Sequence, residues 1–223
     1  MVGERVFDNC SALTSVVWNI KNHADFDYKT VDTTYVYTSP FYNIRSQITS
    51  FVFGNEVEYI PAYLCSDMNN LNTITIPNNV TDIGSYALSG TGFYNNESNW
   101  ENDVLYIDNC LIRAKKTLTG DYTIKNGTRL VAGSAFWLRQ ELTSITISDN
   151  VMNIGQHAFE GCSGLTSITI EATKPPTVGV YAFNSVNNQI PVYVPCGTIP
   201  VYIAAGGCSE FSYIVEPYAQ YSI

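Results

Sequence analysis

The residues able to do chemistry are few and scattered. The two histidines, His23 and His157, lie far apart in the chain. A catalytic triad or a Cys–His pair needs its base within hydrogen-bond reach of a nucleophile, and no spacing here offers that. Each histidine reads as a solvated spacer. The six cysteines, at 10, 65, 110, 162, 196 and 208, contain no Cys-x-x-Cys, which argues against zinc. An even count also permits disulfides; Cys196 and Cys208 are the one pair to consider, with bridging left open. Cys10 and Cys162 occupy equivalent slots and are expected as buried thiols. Carboxylates gather at Asp25, Asp27 and Asp32 and at Glu97, Glu101 and Asp103, without the Gly and terminal Glu of a calcium loop. No glycine-rich phosphate loop is present. The expectation is a protein with no catalytic residue, metal or cofactor.

Charge narrows the classes further. With 11 Lys and Arg against 20 Asp and Glu, the net charge is -9, the wrong sign for sequence-independent binding to nucleic acid or anionic lipid. Only 14% of the 223 residues are charged, against about a quarter in an ordinary soluble domain. Polarity comes instead from 21 Asn, 21 Thr, 18 Ser and 16 Tyr. No run approaches the roughly 18 to 20 apolar residues of a membrane span. The opening MVGERVFDNC lacks the features of a secretory signal.

What positions these residues is a repeat. Residues 131–150 and 154–173 superpose with a shift of 23: Val131 maps to Ile154, Phe136 to Phe159, Leu142 to Leu165, Ile145 to Ile168 and Ile147 to Ile170. The Phe159 position is traced through Phe7, Tyr42, Cys65, Leu88, Phe136 and Phe183. The Ile168/Ile170 pair recurs at Val16/Trp18, Phe51/Phe53, Ile74/Ile76, Tyr122/Ile124, Ile145/Ile147 and Val192/Val194. Leu-x-x-Ile-x-Ile puts apolar residues two apart, which is strand alternation. The fold class expected is a β-rich solenoid, a single parallel sheet of roughly 23-residue coils, each burying its apolar side against its neighbours. Asn after the strands, as in IPNN at 76–79, ISDN at 147–150 and FGN at 53–55, is expected to take left-handed backbone at the corners.

Two stretches break the period, near 20–40 and 91–119. In the second, VLYI at 104–107 and CLIRA at 110–114 flank Asp108-Asn109 and read as a β-hairpin insertion standing in for a coil. Residues 195–223 read as a C-terminal cap with a short helical turn from about 200 to 206. Val2-Gly3-Glu4-Arg5-Val6-Phe7 matches Ile154 to Phe159 position for position, so the chain is expected to start at the opening of a coil, without an N-terminal cap. Upstream sequence, a signal segment with or without further coils, is expected. The organisation expected is one solenoid domain over 1–223.

Ile-Gly-x-x-Ala-Phe-x-Gly-Cys-Ser-x-Leu-Thr-Ser-Ile-Thr-Ile, intact at 154–170, resembles the BspA-like leucine-rich repeat, a 23-residue class found in surface proteins of Bacteroidetes and some parasitic protozoa. The closing VYVPCGTIPVYIAAGGCSEF is similar to that family's usual ending, departing from it at Cys208, where a large aromatic is usual. The resemblance implies a leucine-rich repeat fold, an extracellular or cell-surface location, and non-catalytic adhesion or binding to a host protein, matrix component or glycan.

The candidate binding residues follow from alternation. Ser50, Val52, Thr73, Thr75, Ser144, Thr146, Ser167 and Thr169 fall between buried positions and should align as a neutral, hydroxyl-rich strip on the outward face of the sheet. An alternative patch comprises Phe93, Tyr94, Trp100 and Tyr106 of the second insertion. Rival functions are a spacer or scaffold region of a larger surface protein and a carbohydrate-active role around Trp100 and Glu101. The partners expected are an unidentified protein or glycan, with self-association through an open coil edge as a further possibility.

Overall fold

A Leu-x-x-Ile-x-Ile stretch becomes a strand where a neighbouring coil completes its ladder, and the two halves of this chain differ in how often that happens. The computed structural model describes residues 2–31, 34–206, 208 and 210–217, and the chain divides into two units after Arg113. Asp32 and the last six residues of the proposed cap lie outside the described residues.

In the first unit, β1 (Ser15–Trp18) and β4 (Ser50–Phe53) pair in parallel, Val16 opposite Phe51 and Trp18 opposite Phe53, as the apolar register requires. The first insertion supplies an antiparallel hairpin of β2 (Tyr28–Val31) and β3 (Thr34–Tyr37). A short parallel pair, β5 (Tyr59–Ile60) and β6 (Asp82–Ile83), follows. The second insertion is built of β7 (Trp100–Glu101), β8 (Val104–Ile107) and β9 (Cys110–Ala114). β8 runs antiparallel to β7 and neighbours β9 across Asp108-Asn109, the hairpin expected from the sequence. Ile74 and Ile76 are buried as expected, yet residues 73–76 form no strand. The Ile76 N–H donates instead to Oδ2 of Asp108 at 2.8 Å, and one repeat further on stands a polar 3-10 turn, Glu97–Asn99, rather than an apolar strand.

The aromatic ladder needs one correction in this unit. Phe7 stacks on Phe41 at 5.1 Å, not on Tyr42, and the Phe7 N–H donates to the carbonyl of Pro40. The coil carries one residue more than its fellows between this position and Ile48, where a 3-10 helix, Tyr42–Gln47, intervenes. Counting back from Ile48 therefore lands one residue late.

The second unit is regular. Its main parallel sheet runs β10 (Gly120–Thr123), β12 (Leu142–Ile147), β14 (Ser167–Ile170), β16 (Pro191–Tyr193) and β17 (Tyr213–Val215). Ile145 stands opposite Ile168 and Ile147 opposite Ile170. A second parallel ladder, unanticipated, consists of two-residue strands β11 (Leu130–Val131), β13 (Asn153–Ile154) and β15 (Thr177–Val178). It ends at the glycine of the Ile-Gly corner, where successive coils nearly touch. A Cβ on Gly155 would lie 2.5 Å from the Gly133 nitrogen, and one on Gly179 2.4 Å from the Gln156 nitrogen. These glycines are close-approach positions.

Beneath the corner, Phe136, Phe159 and Phe183 stack at 4.8 and 5.2 Å with interplanar angles of 10° and 2°. Arg139, 4% exposed, donates through Nε and Nη2 to the Ala114 carbonyl and through Nη1 to that of Trp137. A guanidinium here satisfies carbonyls that a coil leaves unpaired. In the cap, α1 of this unit (Ile199–Ala204) anchors through Tyr202, whose hydroxyl donates to the Ala172 carbonyl at 2.6 Å. Phe211 packs edge-on against Phe183 at 5.3 Å, ending the aromatic stack.

The left-handed residues are not the asparagines at the strand ends. Apart from Asn102, Asp103 and Asp108 in the turns of the second insertion, they sit two before and two after the aromatic position: Arg5 with φ of 54°, Tyr63, Tyr86, Ser134, His157 and Tyr181 with φ of 57–59°, and Asp67, Leu138 and Ser185 with φ of 59–61°. The asparagines of IPNN, ISDN and FGN are absent from that set, because their turns need no positive φ.

Candidate binding face

Pairing in the main sheet of the second unit fixes which outward residues are neighbours. Asp121, Ser144 and Ser167 form one row; Thr123, Thr146, Thr169, Tyr193 and Val215 form the next. Strands in a ladder are about 4.8 Å apart, so each row is nearly continuous. Ser144, Thr146, Ser167 and Thr169 are half-buried between fully buried isoleucines. The first row is already internally bonded: Oδ1 of Asp121 accepts from the hydroxyls of Thr143 and Ser144, both at 2.8 Å. These two donors hold the Asp121 carboxyl below its usual range. The second row opens, at its far end, on a cleft of about 430 Å³ lined by Asp149, Thr169, Glu171, Tyr193, Pro195 and Pro217, among others. In the first unit, Ser50 and Val52 stand opposite Ser15 and Val17; Val52 and Val17 are 51% and 72% exposed. Thr73 and Thr75 are exposed as expected, but outside any strand.

Tyr193 and the two flanking acids were not picked out from the sequence. Tyr193 was readable, since it lies between Val192 and Val194 in the apolar ladder and alternation turns it outward. Asp149 and Glu171 stand just beyond β12 and β14, where the alternation has ended and gives no signal.

A sequence profile describing the BspA type leucine-rich repeat region matches six copies, over residues 1–119 and 115–205. The chain belongs to the BspA-type leucine-rich repeat family. No curated protein matches it. Among solved structures, it is similar to a leucine-rich cell surface protein from Faecalibacterium prausnitzii A2-165, at 19% identity and a TM-score of 0.40, covering 97% of this chain and 63% of that one. A leucine-rich repeat protein from Bacteroides ovatus ATCC 8483 is similar at 18% identity and a TM-score of 0.29, covering 78% of this chain and 50% of that one. The chain thus spans about half to two thirds of the length of these two proteins.

In this BspA-type protein the aromatic patch of the second insertion is largely turned to internal packing. Tyr94 and Trp100 meet edge-on at 5.1 Å. The Trp100 indole N–H donates to the Tyr94 carbonyl, and the Asn99 amide to that of Phe93, both at 2.8 Å. Phe93 and Tyr94 belong to a one-turn helix, Gly92–Asn95, capped by the Thr91 hydroxyl, while Tyr106 is buried in β8. Glu97 and Glu101 are exposed and Asp103 half-buried beside them.

Neither histidine is the solvated spacer expected. His157 stacks on Tyr181 at 5.4 Å and its Nδ1 bonds Glu160 at 2.7 Å. His23 stacks on Phe26 at 4.9 Å and its ring nitrogens meet backbone groups of Val2 and Ala24. Asp25 accepts from the Ala62 N–H and the Tyr59 hydroxyl, so this carboxylate fixes a corner.

The cysteines divide. Cys162 is buried and its thiol donates to the Phe136 carbonyl at 3.0 Å; burial pushes its pKa up to about 12. Cys10, in the equivalent slot, is exposed, a departure from expectation: among the described residues no coil packs over the outer side of its own. Cys196 and Cys208 are both free, the first exposed and the second buried, with burial raising the Cys208 pKa to about 11. Among the described residues no helix is long and apolar enough to cross a membrane, and no three His, Cys, Asp or Glu side chains are grouped to hold a metal ion.

Proposed function

We propose that this chain is a non-catalytic binding protein, secreted or displayed on a cell surface, that recognises a host protein, matrix component or glycan through the outward face of its main sheet. Membership of the BspA-type family supports a repeat protein built for presentation of surface rather than for a catalytic pocket. The observation that carries the reading is the row Thr123, Thr146, Thr169, Tyr193, whose registered hydroxyls lead into the cleft beside Asp149 and Glu171. Hydroxyls spaced one strand apart can exchange hydrogen bonds with the repeating polar groups of a polypeptide or glycan. The tyrosine adds an amphipathic contact of the kind enriched in interfaces. The acids at the cleft favour a neutral or cationic group there.

The test is binding of the purified chain to a panel of extracellular-matrix proteins and glycans, beside a Thr146→Arg variant that sets a large charge in mid-row. The reading expects a saturable signal that the variant loses while its unfolding midpoint stays close to that of the parent. A signal indifferent to the substitution, or none across the panel, counts against the sheet face.

A further inference from the structure

Each coil corner in the second unit hands three backbone hydrogen bonds to the next. Ser134, Phe136 and Leu138 donate to the carbonyls of Gln156, Ala158 and Glu160 at 2.9, 2.7 and 2.8 Å. His157, Phe159 and Gly161 donate to Val180, Ala182 and Asn184 at 3.1, 2.7 and 2.9 Å. The next donors in the series are the N–H groups of Tyr181, Phe183 and Ser185, and among the described residues they have no acceptor. Beside them lies a cleft of about 570 Å³, lined among others by Pro176, Val178, Tyr181, Phe183 and Glu210. Val180 and Tyr181 at its margin are 67% and 59% exposed.

We infer that this edge docks a short polypeptide segment that bears an arginine and is wound like a coil corner. Three donors on alternate residues match three alternate carbonyls of one segment wound like the neighbouring corners, which is main-chain addition to an open edge. A whole further coil does not fit, because Phe211 already occupies the next place in the aromatic stack. The arginine follows from the neighbouring rings. In the first unit Tyr86 has Tyr63 stacked on it at 5.6 Å and the Arg113 guanidinium over its ring at 4.8 Å. Tyr181 stands at the equivalent position, has His157 stacked on it, and no cation over its ring among the described residues. A guanidinium over an open tyrosine face is attracted by the ring quadrupole. Glu210, the one carboxylate among the described residues lining the cleft, has the complementary charge. This inference concerns a different surface from the sheet face and stands or falls apart from it.

The probe is a synthetic peptide copying residues 2–9, Val-Gly-Glu-Arg-Val-Phe-Asp-Asn, the corner segment of this chain that carries an arginine where Tyr181 stands in its own coil. It is titrated into the whole isotope-labelled protein, and amide exchange is followed residue by residue. The expected result is saturable binding that slows exchange at Tyr181, Phe183 and Ser185. Replacing the peptide arginine by alanine, or Glu210→Ala in the protein, should each weaken Kd by roughly tenfold. Glu210 is exposed, so its removal leaves the fold intact. Absence of saturable binding, or binding that leaves those three amides unprotected, would overturn the inference. So would protection of the same amides in the protein alone as its concentration rises, which would make a second copy the occupant.

Discussion

Residues 71–76 and 165–170 read almost alike, Leu-Asn-Thr-Ile-Thr-Ile and Leu-Thr-Ser-Ile-Thr-Ile. The second contains strand β14, paired on both sides; the first is no strand at all. Their isoleucines are all buried, so side-chain burial is not what separates them. The difference lies in what stands next door, a matching strand in one case and a polar 3-10 turn with a long hairpin in the other. The corner survives this loss. Tyr63, Cys65 and Asp67 donate to Ser85, Ala87 and Ser89 at 3.2, 2.9 and 2.8 Å, the same triplet found in the regular unit. A coil of this protein is defined by its corner, and the sheet forms where adjacent corners are also joined by apolar strands.

The comparison can be broken most forcefully in the aromatic stack. Phe159→Ala, between two stacked rings, should cost about 3–5 kcal/mol. Cys65→Ala at the equivalent place in the irregular unit should cost only about 1 kcal/mol, since far less is removed. Denaturant unfolding of the two variants measures both, and equal losses would show that the stack is no more important in one unit than in the other. Arg139→Met deprives the Ala114 carbonyl of a charged donor that the regular unit has buried for it; a loss of about 1–3 kcal/mol is expected from the same experiment. Gly155→Ala pushes a methyl onto the backbone of the preceding coil and should cost about 1–3 kcal/mol. Its thermal midpoint falling no further than that of an exposed control would mean that the corners can move apart.

The smallest effect is electrostatic. The Asp121 carboxyl has its folded pKa lowered by the hydroxyls of Ser144 and Thr143, from an ordinary value of 3.8. Its contribution to stability is therefore fully present above that value and is lost as pH falls through the lower folded value. The stability gap between the parent and Asp121→Ala should be open well above the ordinary value of 3.8 and narrow as pH falls below it. A gap independent of pH would mean the two hydroxyl bonds are not held to the charged form.

The parts legible in the sequence are those where one physical rule acts alone. Alternation placed Ile145 and Ile147 inward and Thr146 outward, and Asp108-Asn109 between two apolar runs announced a hairpin. Misreadings arose where two rules compete. Tyr42 stands 23 residues before Cys65 and so fits the repeat, but the extra residue of its coil is taken up by a 3-10 helix, which spacing does not reveal. Asn79 and Asn150 satisfy the preference for left-handed backbone, yet the corner imposes that conformation on Tyr63, Tyr86 and Tyr181, residues with no such preference. Of the candidate face, the strip through Thr146 was readable and the cleft at Tyr193 was not, because Pro217 and Glu171 reach it from segments with no periodicity.

That the corner rather than the strand defines the coil is tested most directly by native-state hydrogen exchange. Strong protection is expected at Tyr63, Cys65 and Asp67, comparable to Ser134, Phe136 and Leu138. Rapid exchange is expected at Thr73 and Thr75, with slow exchange at Thr146 and Thr169 of the regular sheet. Protection at Thr73 and Thr75 matching that of Thr146, with exposed amides at Cys65 and Asp67, would contradict it.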